Sequence, residues 1–149
     1  FKGAKMMFES KSIAGYSIST KQLYGDGYVL VGNATEFLDP VFSSGVTFAM
    51  ESGAKAGKLV GQFLKGENVN WQKDYTEYMM QGINTFRTYV STWYTGELHD
   101  IFFSENQDPE IKKQICSVLA GYVWDLNNPF VKKHEQAVKS LHKVIELAK

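Results

Sequence analysis

The stretch Gly32 to Val46, GNATEFLDPVFSSGV, restricts the fold of this chain more than any other. It follows the apolar run Tyr28, Val29, Leu30, Val31 and precedes a helix rich in small residues, so it reads as strand, tight loop and helix start. A helix start presents unpaired backbone N–H groups and partial positive charge, and glycine allows a planar or anionic ligand to come close to the main chain. Such a layout grips a cofactor.

Upstream, Ile13 to Thr20 alternates apolar and polar positions as a half-buried strand does, and Gly25, Asp26 and Gly27 supply a turn. Tyr28 to Val31 reads as a second strand, its continuous apolar content implying burial on both faces. The two strands are expected to form a hairpin. Beyond Gly45 the period becomes helical: Val46, Ala49, Met50, Gly53, Ala56, Gly57, Val60 and Phe63 share one face, with Ser43 or Ser44 as N-cap. Glycine inside a helix costs about 1 kcal/mol against alanine, so Gly53 and Gly57 imply a close contact on that face.

A second helix is predicted from Trp71, carrying Tyr75, Tyr78, Met79, Ile83, Phe86, Val90 and Trp93 over roughly 35 Å. Asp108, Pro109 and Glu110 make the next helix start, with Ile111, Ile115, Val118, Leu119 and Val123 as its stripe. Asn127, Asn128 and Pro129 interrupt the pattern, and a last helix runs from about Val131 to Ala148. The expected class is α+β, mostly α: a short strand pair followed by about four helices.

Composition narrows the partners. The chain has 149 residues, 44% hydrophobic and 14% aromatic, enough for one real core. Sixteen basic and sixteen acidic residues balance, so no global field recruits nucleic acid or an anionic membrane. No apolar run approaches the ~18 residues of a membrane span. The single cysteine, Cys116, sits in an apolar helical pattern, reads as a buried structural thiol and fits a cytoplasmic setting. His99 lacks the three-or-four spacing that would pair it with Glu97 or Asp100 around a metal; His134 and His142 read as solvated surface histidines. Neither a metal site nor a cysteine nucleophile is expected. The aromatic row Tyr75, Tyr78, Phe86, Tyr89, Trp93, Tyr94 serves either the core or a pocket for a flat substrate.

The Gly32 to Val46 segment resembles the second flavin-contacting motif of FAD-dependent monooxygenases of the p-hydroxybenzoate hydroxylase type. It is most similar to that of flavin-dependent halogenases and their geranylgeranyl-reductase-like relatives. In them an LVGDA strand end is followed by an apolar residue, Asp-Pro and a Ser/Thr-Gly helix start. The matching residues are Leu30, Val31, Gly32, Asn33, Ala34, then Phe37, Leu38, Asp39, Pro40, then Phe42, Ser43, Ser44, Gly45 and Val46. Ser117 to Phe130, SVLAGYVWDLNNPF, also looks like the C-terminal region of bacterial halogenase-like oxidoreductases.

The resemblance implies FAD as cofactor, with Gly32 and Asn33 along its ribityl and phosphate part. Asparagine stands where the family usually has aspartate, keeping an acceptor oxygen without the charge. Pro40 would flank the isoalloxazine ring, and the amides around Ser43, Ser44, Gly45 and Val46 would face its pyrimidine edge. In halogenases the amides at the Ser44 and Gly45 positions also help hold halide. Reduced FAD and oxygen then oxidise the halide, and hypohalous acid passes to a lysine beside a small organic substrate.

No GxGxxG follows a strand, and the family's WxWxIP motif and catalytic lysine are also missing from these residues. The expectation is a C-terminal piece of a larger flavoprotein: residues 1–66 complete an FAD-binding domain, and residues 67–149 form a helical region. Alone, the piece is expected to bind FAD weakly or not at all and to be inactive. The alternatives are a flavin-dependent reductase or hydroxylase that uses no halide, and a non-enzymatic helical interaction domain.

Overall fold

The structure, a computed structural model, describes residues 2–15, 17–105 and 107–148. Four two-residue strands open it: β1 (Ile18–Ser19), β2 (Tyr24–Gly25), β3 (Tyr28–Val29) and β4 (Glu36–Phe37). β2 and β3 form a hairpin closed by Asp26 and Gly27, with Gly25 opposite Tyr28; Gly27, at φ +75°, takes the left-handed turn conformation. β1 pairs antiparallel with β4, Ile18 opposite Phe37 and Ser19 opposite Glu36.

The expected hairpin between Ile13–Thr20 and Tyr28–Val31 is therefore corrected. The Asp-Gly turn closes at short range, so Tyr28 and Val29 take the residues just before it, and β1 pairs with residues from beyond the glycine loop. Nor is the second strand buried on both faces, since Tyr28 is 51% and Val31 42% exposed. Tyr16, inside the first expected strand, lies outside the described residues.

Six helices follow among the described residues. α1 (Ser44–Leu64) buries Ser44, Phe48, Ser52, Ala56 and Leu59. This is a different face from the predicted one, of which Ala56 alone is buried; Val46 is 69% and Met50 71% exposed. Phe48 decides the rotation. Its ring meets Phe86 at 5.4 Å and Trp124 at 6.2 Å, both edge to face. Ser52 can join that buried face because its hydroxyl donates to the Phe48 carbonyl, at 2.5 Å. Nothing stands within 4 Å of a Cβ built on Gly53 or Gly57, so the close contact expected there is absent among the described residues.

One π-helical turn, Gln72–Glu77, leads into α2 (Tyr78–Thr95), and together they form the long helix predicted from Trp71. Tyr75, Met79, Ile83 and Phe86 are wholly buried, and Tyr78, Val90 and Trp93 pack at the margin. Gly96, at φ +91°, ends α2 in the left-handed C-cap conformation. The short α3 (Glu97–Phe102) was not foreseen.

α4 (Pro109–Leu119) starts as predicted: Asp108 Oδ1 accepts from the Glu110 and Ile111 amides at 2.8 and 3.1 Å, with Pro109 at the first position. The predicted last helix is divided. α5 (Pro129–Lys132), capped by Asn128, is separated from α6 (His134–Leu147) by Lys133, whose φ of −132° is not helical. Val118 of α4 and Val138 of α6 join the same core as α1 and α2, as does Val123, which lies in the turn after α4 and not in its expected stripe. The expected class, α+β and mostly α, describes this arrangement.

Candidate flavin-facing loop

The loop leaves β3 through one 3-10 turn, Gly32–Ala34. Gly32 has φ +59°, which glycine alone adopts cheaply, and a Cβ there would stand 3.5 Å from that of Ala49. Its amide donates to Ser52 Oγ at 2.8 Å, and its carbonyl accepts from the Thr35 hydroxyl at 2.7 Å. The strand end is thus fastened to α1 by a buried serine.

At the far end, Asp39 Oδ1 accepts from the Val41 amide at 2.7 Å, and the Ser43 amide donates to the Pro40 carbonyl at 3.1 Å. Ser43 adopts φ 51°, the one non-glycine residue with positive φ among the described residues, and caps α1 with no side-chain hydrogen bond. Serine there costs left-handed strain, of order 1 kcal/mol. In return the chain turns sharply enough to leave the first-turn amides without a side-chain cap.

The predicted site residues therefore come together around one helix start. Asn33 is exposed, and its Oδ1 lies 3.3 Å from the position of a Cβ on Gly45. Ser44 is 4% exposed, Gly45 half-buried, and Pro40 and Val46 exposed. These residues fit a flavin: uncapped amides at a positive helix end, a side-chain acceptor beside them, and no side chain at Gly45 to obstruct approach.

Helix α2 and the π-helical turn before it support this loop and the strand end at three places. The Tyr75 hydroxyl donates to the Leu30 carbonyl at 2.5 Å, Arg87 Nη2 to Glu36 Oε1 at 3.0 Å, and the Tyr94 hydroxyl to Asp39 Oδ2 at 2.8 Å. Burial raises the Tyr75 pKa to about 12, with a hydrogen bond to Ser52 opposing it, so its proton stays available to Leu30. Glu36, Arg87 and Ser52 escaped the sequence reading. The available signal is a carboxylate directly before the apolar Phe37 and Leu38, with no hint of which cation reaches it.

The aromatic row is mainly structural. Tyr75, Phe86 and Tyr89 are core, Tyr78 stacks on Trp124 at 5.3 Å, and Trp93 meets Phe42 of the loop edge to face at 5.6 Å. A groove of about 740 Å³ lies elsewhere, between α3, α4 and α6, lined by Ile101, Phe102, Ile111, Ile115, Leu141 and Ile145 among others.

The other candidates are also placed. His99 lies against Trp93 with ring centres 3.9 Å apart and ring planes tilted by 36°. His134 and His142 are not simply solvated. The first meets the Thr88 hydroxyl at 2.8 Å, and the second pairs with Asp100 at 2.9 Å. Cys116 is exposed rather than buried, because it sits one residue around α4 from the Ile115 stripe. Among the described residues no three His, Cys, Asp or Glu side chains gather as a metal site would require, and no helix is long and apolar enough to cross a membrane.

No family model matches the chain. Over 126 residues it is 29% identical to a 1H-pyrrole-2-carbonyl-(peptidyl-carrier protein) brominase of Pseudoalteromonas luteoviolacea, covering 84% of this chain and 30% of the relative. It is 30% identical over 126 residues to the corresponding chlorinase of Pseudomonas fluorescens, covering 83% of this chain and 27% of that protein. The chain thus spans under a third of the length of these curated relatives. The crystal structure of a flavoprotein/dehydrogenase from Cytophaga hutchinsonii superimposes with a TM-score of 0.92 at 65% identity, over 99% of this chain and 36% of that one.

Over most of its length the chain is thus similar to a segment of flavin-dependent proteins. More particularly, the C-terminal part of a flavin-dependent halogenase-like protein fits these likenesses.

Proposed function

We propose that this chain supplies the flavin ring-facing wall of an FAD-dependent, halogenase-like monooxygenase acting on a small organic substrate in the cytoplasm. The observation that carries the reading is the uncapped start of α1 beside Gly32 and Asn33, since that is where a flavin needs backbone donors. Bound flavin would supply the redox chemistry. The residues here would orient it: Asn33 would accept a ribityl hydroxyl hydrogen bond, Pro40 would flank the ring, and the amides of Ser44, Gly45 and Val46 would meet its pyrimidine edge. The Ser44 and Gly45 amides would also receive the halide. Residues 1–66 then complete the FAD-binding domain, and residues 67–149 brace it from the helical side. Support for a further body comes from α1, whose Val46, Met50, Gly53 and Gly57 positions are exposed over several turns.

A second reading has its own observation. The solved neighbour at 65% identity is described as a dehydrogenase, whereas the halogenases share 29–30% identity, so flavin chemistry without halide fits this chain too. Product analysis of the full-length parent with reduced flavin, oxygen and bromide decides between them. Brominated product is expected from the first reading; hydroxylated or reduced product without bromination sinks it in favour of the second. A parent purified without flavin absorbance, and unable to take up FAD, would sink both.

A further inference from the structure

Glu36 is a carboxylate inside the glycine loop with 3% of its side chain exposed. Such burial is unfavourable unless the charge is paired and its oxygens are hydrogen-bonded. Both conditions are met through Oε1: Arg87 Nη2 donates from α2 at 3.0 Å, and the Ser19 hydroxyl donates from β1 at 2.7 Å. Arg87 is oriented in turn, because its Nη1 donates to Asn84 Oδ1 one turn earlier on α2, at 2.7 Å. One oxygen thus ties β1, β4 and α2 together.

The position of this knot gives it a role. Glu36 stands between Gly32, which α1 holds through Ser52, and Asp39, which α2 holds through Tyr94. Beside it, the middle of the loop is held from the β1 side, by the two-residue β1–β4 pairing and by the Ser17 and Thr20 hydroxyls, which donate to the Phe37 and Ala34 carbonyls at 3.0 and 2.8 Å; the Glu36–Arg87 pair is what reaches it from α2. Asn33 and Pro40 lie on either side and are exposed, so their orientation depends on how the backbone between them is seated.

We infer that the Glu36–Arg87 ion pair is a positioning clamp: it seats the Gly32–Pro40 loop on α2, so that Arg87 sets how well the loop grips flavin. This rests on the flavin reading above, and Arg87 is a positioning residue. Its partner is fixed by geometry rather than charge alone, since the Arg87 guanidinium spans Asn84 and Glu36 at once.

The test uses the full-length parent carrying Arg87→Met, Arg87→Lys or Glu36→Gln, with two readouts. FAD affinity is measured by flavin fluorescence titration, and amide hydrogen exchange is compared between residues 30–42 and helices α4 and α6. Arg87→Met should weaken FAD binding by about tenfold or more and speed exchange in the loop selectively. Arg87→Lys should recover part of the affinity, and Glu36→Gln should resemble Arg87→Met. If Arg87→Met does not fold, the other two variants carry the comparison. FAD affinity within about twofold of the unsubstituted parent in every folded variant, or exchange that rises equally in loop and helices, would reduce the pair to general stability and overturn the clamp. An unsubstituted parent that binds no FAD would overturn the flavin assignment instead, and the exchange comparison would judge the seating of the loop by itself.

Discussion

Asn33 and Gly45 meet across the mouth of the loop, the Asn33 Oδ1 standing 3.3 Å from where a Cβ on Gly45 would be. The separation is tight for a carbon, so any side chain at 45 must shift the Asn33 carboxamide, which the flavin reading assigns to the ribityl chain. Gly45→Val in the full-length parent should therefore weaken FAD binding by about tenfold, roughly 1.4 kcal/mol, while Asn33→Ala weakens it by a smaller factor. Retention of FAD at wild-type strength in both variants, measured by titration, would show that the cofactor does not lie here.

Gly82 and Trp124 make a second contact that permits no Cβ. A Cβ on Gly82 would run into the Trp124 indole, whose Nε1 donates to the Tyr78 carbonyl at 2.8 Å and whose ring stacks on Tyr78 at 5.3 Å. Gly82→Ala should cost about 1–3 kcal/mol by overpacking, although alanine is the better helix former by about 1 kcal/mol. Chemical denaturation measures it; a stabilised variant would mean that Trp124 can leave its place freely.

Tyr75 links the core to the loop's first residues. Tyr75→Phe keeps the ring and removes the donor that the Leu30 carbonyl accepts, so a stability loss of about 1–2 kcal/mol is expected. The loss should appear as a lower denaturation midpoint with unchanged slope. Equal midpoints for the two proteins would mean that water replaces the hydroxyl at no cost.

The legible parts of this fold were those written locally. Asp108-Pro109-Glu110 specifies its helix start through a side chain and two amides within three residues, and Asp26-Gly27 specifies its turn in the same way. The rotation of α1 was not local. Two faces of that helix are apolar enough to bury, and the choice falls to Phe48 through Phe86 and Trp124, distant in sequence. Ser44 and Ser52 disguised the true face as polar, although Ser52 satisfies its hydroxyl within its own helix. Cys116 was misjudged for a related reason: a residue next to a buried stripe is about 100° away around the helix. The glycine loop was readable as a motif, whereas the pairing of Glu36 with Arg87 depends on how α2 crosses it.

His134 gives the stability of the chain a sign that can be worked out. Partial burial lowers its pKa below the ordinary 6.5, with the neighbouring Glu135 carboxylate opposing the shift, and its Nδ1 meets the Thr88 hydroxyl at 2.8 Å. The neutral ring is thus the form that the folded state prefers. Above the unfolded value both states carry neutral imidazole, and the full contribution of this residue is present. As pH falls below that value the unfolded chain takes up a proton first, so stability declines until the folded pKa is passed and then levels. Thermal unfolding from about pH 8 to pH 5 should show this decline, and His134→Gln should flatten part of it, leaving the share that belongs to other groups. Superimposable pH profiles for the two proteins would mean that His134 titrates alike in the folded and unfolded chains, and that its place against Thr88 contributes nothing to the pH dependence.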